Sequence, residues 1–278
     1  MNMPVLDYPS TEQRNGTVWD YISPSRLNLW LRCPLAFRLR YIDGIRSPTS
    51  PAMFLGTIVH AGLELLNRHR QLCVELSPED VVTRMLAGWD EAVASEPMGF
   101  KSLQDEGMLK KQAVDLVAAY MAHTADAQER PLAVETSMEA PLIDPGNGED
   151  LGIPLLGIVD LVVDDRDGPR ICDFKTAARS SPPHEITHEI QLSSYAYLFR
   201  QATGEEEGGL EIRSLIKTKT PKVVTHAYPS RSDVHFRRLF AVIRAYLDDL
   251  NAGRFVYRPG FGCAMCEHRD SSCRTWMA

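Results

Sequence analysis

The sequence predicts an α/β protein, a mixed central sheet flanked by helices, with a helical elaboration on its N-terminal side. Three features carry that expectation. Apolar residues recur at helical spacing through the first part of the chain, and the period drops to two from about Leu132. The order after that point is three strands, a helix, two strands and a long helix, which is not a regular βαβ alternation.

Residues 1–20 show no periodicity and read as a loose leader. Ser23-Pro24-Ser25 reads as a helix start, with a capping hydroxyl and then proline at the first helical position. Leu27, Trp30 and Leu31 continue it until Pro34 interrupts the helix just after Cys33. Further helices are expected over residues 54–69, from Ser77-Pro78-Glu79-Asp80 through residue 94, and over 103–125. Strands are expected over 132–143, 153–163 and 169–175, with Asp144-Pro145-Gly146-Asn147-Gly148 as the first turn. A helix over 185–201, strands over 211–217 and 223–228, and an amphipathic helix over 231–252 complete the order.

A chain of 278 residues that is 44% hydrophobic and 24% charged is that of a globular protein able to bury one large domain. No apolar run is long enough to span a bilayer, and no charged-then-apolar signal layout is present, so a cytoplasmic location without a membrane partner is expected. In a reducing compartment the six cysteines point to metal ligation more than to structural disulfides. The formal charge of −7 excludes a uniformly basic surface but not nucleic acid, because local patches set the field that a phosphate backbone meets. Arg26, Arg32, Arg38, Arg40 and Arg46 form one patch; Lys217, Lys219 and Lys222, with Arg237 and Arg238, form another. Either also reads as a solvated face.

The chemistry concentrates where Gly157-Ile158-Val159-Asp160 is followed, across the turn Asp164-Asp165-Arg166-Asp167-Gly168, by Ile171-Cys172-Asp173-Phe174-Lys175. Strand alternation sends Asp173 and Lys175 to one side, and folding back across the turn brings Asp160 to the same pocket. Two carboxylates with an ammonium form a divalent-metal site suited to phosphodiester hydrolysis; the plain alternative is a salt bridge at a strand edge. His60 lies one helical turn after Gly56, a glycine that would let another element approach, and its imidazole is either a ligand or a core histidine. Gln191 and Tyr195 share a helix face four residues apart. Cys263, Cys266 and Cys273 cluster near the end of the chain and lack one ligand of a tetrathiolate. Cys33 is the natural fourth, His268 could instead complete a zinc site, and Cys73 and Cys172 read as small buried residues.

In this order, Gly56/His60, Gly157/Asp160, Asp173/Lys175 and Gln191/Tyr195 resemble the PD-(D/E)XK nuclease superfamily, specifically the RecB-type exonucleases, over nearly all of residues 21–273. The resemblance implies a restriction-endonuclease-like core and Mg²⁺- or Mn²⁺-dependent hydrolysis of DNA. His60, Asp160, Asp173 and the carbonyl of Phe174 would hold the metal. Asp160, Asp173, Lys175, Gln191 and Tyr195 would form the catalytic set, and the usual earlier acid is either Glu135 or Glu139. The AddB subunit of bacterial recombination nucleases and the CRISPR-associated adaptation nucleases place one cysteine before this core and three after it, around a 4Fe–4S cluster. By that resemblance Cys33, Cys263, Cys266 and Cys273 would hold such a cluster as a staple, in preference to zinc. The implied segments are a leader at 1–20, a helical part at 21–130 carrying Cys33 and His60, a nuclease core at 131–252 and a cysteine segment at 253–278, in one compact domain. The sequence lacks a Gly-x-x-x-x-Gly-Lys-Ser/Thr loop, so any unwinding would fall to a helicase or recombination partner. Recombination, repair or phage DNA processing is the implied context. CRISPR spacer processing and a non-catalytic DNA-binding subunit are the alternatives.

Overall fold

The computed structural model describes residues 17–46, 48–95, 98–125, 127, 129–179 and 185–276. Most of the expected leader lies outside the described residues. One sheet contains β1 (Arg130–Ile143), β2 (Asp150–Asp164), β3 (Arg170–Ala177), β4 (Gly209–Ile216) and β5 (Lys222–Tyr228), in that spatial order. The β3–β4 pair is parallel and the other three pairs are antiparallel, so the sheet is mixed as expected. The crossover between β3 and β4 is α6 (Glu185–Thr203).

Two apolar cores cover the two faces. On one, α1 (Pro24–Arg32), α2 (Pro34–Tyr41), α6 and α7 (Asp233–Asn251) bring Leu27, Phe37, Leu198 and Ile243 together. On the other, α3 (Pro51–Gln71), α4 (Pro78–Ser95) and α5 (Leu103–His123) bring Val59, Leu63, Trp89 and Leu116 together. The 3₁₀ turn Phe261–Met265 and the short α8 (Ser272–Thr275) end the described chain. Among the described residues no helix is long and apolar enough to cross a membrane.

The sheet rotates sharply at one level, and that rotation places the site. Residues two apart on a flat strand stay on one face. Yet Ile153, Leu155 and Val159 of β2 pack in the α6 core, while Leu161 and Val163 pack in the α3 core. β1 does the same, with Met138, Ala140 and Leu142 in the first core and Val134 in the second. The switch falls between the pairs Thr136↔Val159 and Val134↔Leu161, at Glu135, whose φ of 43° is in the left-handed region.

A second irregularity opens the sheet. The β2–β3 ladder has only the pairs Val163↔Arg170, Val162↔Ile171 and Leu161↔Cys172, after which the strands part. Asp160 stands at the point of parting.

Several local expectations are corrected. Pro34 does not merely break a helix: it begins α2, with Cys33 (φ −165°, ψ 109°) capping both helices. Proline suits a first helical position, where no N–H partner is needed. α3 starts three residues before the expected residue 54, because the Ser50 hydroxyl accepts from the Met53 N–H and Pro51 follows it. Cys73, expected to be buried, is exposed just past the end of α3 with φ 55°. Arg26 leaves the first basic patch: it is 3% exposed, donates to the carbonyls of Thr17 and Tyr21, and stacks on the Tyr21 ring.

Candidate active site

Where β2 and β3 part, the Phe174 N–H has no ladder partner, and Asp160 Oδ2 accepts it at 2.7 Å. A strand residue directs its N–H and C=O to the same neighbour, so the Phe174 carbonyl also faces the gap beside Asp160. The Phe174 ring points the other way, edge-on to Tyr120 (5.3 Å) and His60 (6.1 Å), and so buttresses the imidazole.

His60 Nδ1 lies 3.7 Å from both Asp160 Oδ1 and Glu135 Oε1. Ligand atoms of His60, Glu135 and Asp160 all lie within 4.8 Å of one another. This settles which of the two β1 acids approaches the cluster: Glu135 does, and Glu139 is exposed further along the strand. The left-handed φ at Glu135 is what turns its carboxylate there.

Asp173 is 1% exposed. Lys175 Nζ stands 2.7 Å from its Oδ2, and Gln191 Nε2 donates to its Oδ1 at 2.9 Å. The same Gln191 nitrogen donates to the Tyr195 hydroxyl at 2.9 Å, so the two α6 residues are joined to the acid pair. Gly157 makes this possible, since a Cβ there would stand 2.7 Å from Leu198 Cδ1 and 3.3 Å from Tyr195 Cε1. Gly56 matters less than expected, because a Cβ at that position would meet Thr176 Oγ1 at 3.4 Å, an ordinary contact.

Burial is the leading cause of the shifts in the acids. It pushes the Asp173 carboxyl up to about 6, against the pull of Lys175, with the neighbouring Asp160 charge adding to the rise. Burial likewise raises Asp160, against the His60 charge and the Phe174 N–H. For His60 burial works to lower the pKa, but the facing Glu135 and Asp160 outweigh it and the net shift is upward. The Tyr195 phenol is held neutral by burial, with the nearby acids reinforcing the effect.

The donor chemistry fits a hard divalent cation: carboxylate oxygens and one imidazole, crowded enough that their negative charge is costly without a counter-ion. Motif reading left out His188, which lies three and seven residues before Gln191 and Tyr195 on the same face of α6; that spacing was the available signal.

Cys33, Cys263, Cys266 and Cys273, all half-buried, line one cavity of about 210 Å³ with His268, Leu35 and Leu39. The Arg258 N–H donates to Cys33 Sγ at 3.4 Å, and Cys263 Sγ donates to the Arg258 carbonyl at 3.9 Å. Burial raises the Cys273 thiol, and Cys33, Cys266 and Cys263 add to the effect. Cys172 is fully buried as expected.

Fold and donor set together define a metal-dependent nuclease. The family model of the PD-(D/E)XK nuclease superfamily matches residues 21–274, and the chain belongs to that superfamily. The crystal structure of a candidate exonuclease from Eubacterium rectale shares the fold with a TM-score of 0.59 at 15% identity, covering 100% of this chain and 94% of that one. The crystal structure of SSO0001, also 15% identical, matches over 63% of this chain and 81% of that one with a TM-score of 0.37. No curated protein matches.

Proposed function

We propose that the protein is a Mg²⁺- or Mn²⁺-dependent deoxyribonuclease, an exonuclease acting on single-stranded or end-bearing DNA. The observation that carries this reading is the parting of β2 and β3, which sets Asp160, Asp173 and Lys175 around one opening with His60 and Glu135 beside it. His60, Glu135, Asp160, Asp173 and the Phe174 carbonyl would hold the cation. A bound divalent ion supplies Lewis acidity toward the scissile phosphate and a more acidic water. The Lys175 ammonium orients the attacking water and offsets charge that develops at phosphorus. Gln191 fixes the carboxylate of Asp173 and links it to Tyr195, whose neutral hydroxyl is a contact for the substrate strand.

The exposed turn of Lys219 and Lys222 suits a nucleic-acid backbone, because Lys217 donates its N–H to the Ala177 carbonyl (2.7 Å) and so sets this basic turn beside the end of β3. A recombination, repair or phage-processing role, with strand separation by a partner, is the biological setting proposed.

We further propose a 4Fe–4S cluster on Cys33, Cys263, Cys266 and Cys273. Its support is the one cavity that all four cysteines line, one of them from before the core and three from after it.

The test is digestion of end-labelled single- and double-stranded DNA with each metal. Wild type degrades DNA only with Mg²⁺ or Mn²⁺, and Asp173→Ala and Lys175→Ala do not, while both variants keep the wild-type circular dichroism. Undiminished degradation by both variants overturns the assignment.

A further inference from the structure

Among the described residues, the motif pairs leave His188, an ionisable side chain on the Gln191 face of α6, without a role. Gln191 is fixed on Asp173 at 2.9 Å, and from there α6 passes over β2, where Tyr195 and Leu198 crowd Gly157. The turn of α6 before Gln191 therefore lies on the far side of Asp173 from Gly157. His188 is on that turn, on the face that carries Gln191 and Tyr195, with Cβ atoms of such neighbours about 5–6 Å apart. Its ring is half-buried, and the Lys175 side chain, 35% exposed, marks where the acid pair opens to solvent.

We infer that His188 is a substrate-contacting residue, whose imidazole donates a hydrogen bond to a DNA backbone phosphate adjacent to the scissile one. This rests on the nuclease reading above and deepens it. The two charges that act on the ring are Lys175 and Asp173, the residues placed at the scissile phosphate. Burial and then the Lys175 ammonium keep the imidazole neutral, Asp173 opposing them. A neutral ring adds no repulsion to Lys175 and still offers one N–H donor. A strand whose scissile phosphate sits at Lys175 runs outward past this donor.

The experiment uses full-length wild type, His188→Ala and His188→Gln in single-turnover cleavage of short single-stranded DNA, with the linkage on one or the other side of the scissile bond either native or an uncharged methylphosphonate. On native DNA His188→Ala is expected to lose about tenfold in kcat/KM, mostly through KM, the size of one hydrogen bond to a charged group. His188→Gln, which keeps an N–H donor, recovers most of it. Wild type loses a similar factor on one of the two methylphosphonates, and His188→Ala loses nothing further on that substrate. A structural role for His188 predicts the opposite, penalties that multiply. Multiplied penalties, or His188→Ala kinetics equal to wild type while Lys175→Ala is inactive, overturn the His188 assignment alone. Absence of metal-dependent cleavage by wild type overturns the nuclease reading and this contact with it.

Discussion

Glu135 of β1 stands across from Asp160 of β2 at the single level where both strands exchange faces, and it does so with a left-handed φ of 43°. A side chain in that conformation costs about 1–2 kcal/mol, so the fold keeps Glu135 there in spite of local strain. The compensating role is a carboxylate aimed at His60. Glu135→Gly is therefore expected to leave the melting temperature of the metal-free protein unchanged or raised, since it relieves both the backbone and the crowding of acids. The same change lowers Mn²⁺ affinity by about tenfold or more, and cleavage with it. Glu139→Ala, on the same strand but outside the His60–Glu135–Asp160 group, leaves Mn²⁺ affinity within about twofold and serves as the same-strand control. Calorimetric titration and thermal melts check both halves. A metal affinity for Glu135→Gly equal to wild type would remove the residue from the site.

Two motif glycines behave oppositely on substitution. Gly157→Ala puts a Cβ 2.7 Å from Leu198 Cδ1 and 3.3 Å from Tyr195 Cε1, so the buried Leu198 side chain and the Tyr195 ring must give way, which costs about 1–3 kcal/mol and disturbs the Tyr195–Gln191–Asp173 link. A drop in melting temperature and in kcat together is expected. Gly56→Ala meets only Thr176 at 3.4 Å, and alanine is favoured over glycine within a helix by about 1 kcal/mol. Its melting temperature should hold or rise.

The strand pair that carries the acids was legible because period-two apolar runs and a Gly-containing turn are strong local signals, and α6 was legible from its length. Other features were not. The choice between Glu135 and Glu139 depends on a rotation of β1 at one residue, and strict alternation assigns both to the same face. Helix α2 was hidden because Pro34 reads equally as the end of one helix or the start of the next, and only the extended backbone of Cys33 decides it. The gathering of Cys33 with the three late cysteines has no local signature, and it was expected only from their number and from the resemblance. Cys73 was misread because the apolar residues beside it, Leu72 and Val74, are themselves exposed.

Protons and the cation compete for the same oxygens. Asp173 titrates at about 6 in the metal-free fold against an ordinary value of 3.8, so between those values the folded protein holds a proton that the unfolded chain has released. Stability from this group is thus greatest at the acid end and falls as pH rises toward 6. Metal binding needs the ionised form, so the stabilisation given by Mn²⁺ runs the other way, small near pH 5 and reaching its plateau above pH 6 to 7 (roughly one unit past the carboxyl's midpoint). Melts from pH 5 to pH 8 with and without Mn²⁺ measure the difference. An equal metal-induced gain at pH 5 and pH 7 would contradict the burial-raised carboxyl.

The cysteine lobe and the catalytic opening should fail independently. Residues near Cys33 already meet the late segment through the Leu35 N–H to the Val256 carbonyl (3.3 Å) and Trp30 Nε1 to Asp249 Oδ2 (3.2 Å), so the ends stay associated without a cluster. The proposed cluster, by joining Cys33 to the three late thiols, would add loop-closure stabilisation on top of those contacts, because it would restrict the unfolded chain. Cys263→Ala, purified without oxygen, is expected to lose the broad visible absorbance of thiolate-ligated iron and to melt well below wild type. At temperatures where it remains folded, it should keep metal-dependent cleavage, since none of the four cysteines contacts Asp160, Asp173 or Lys175. Lys175→Ala should show the reverse, full absorbance and no cleavage. A colourless wild-type protein carrying one equivalent of zinc would replace the iron–sulfur assignment and leave the nuclease site untouched.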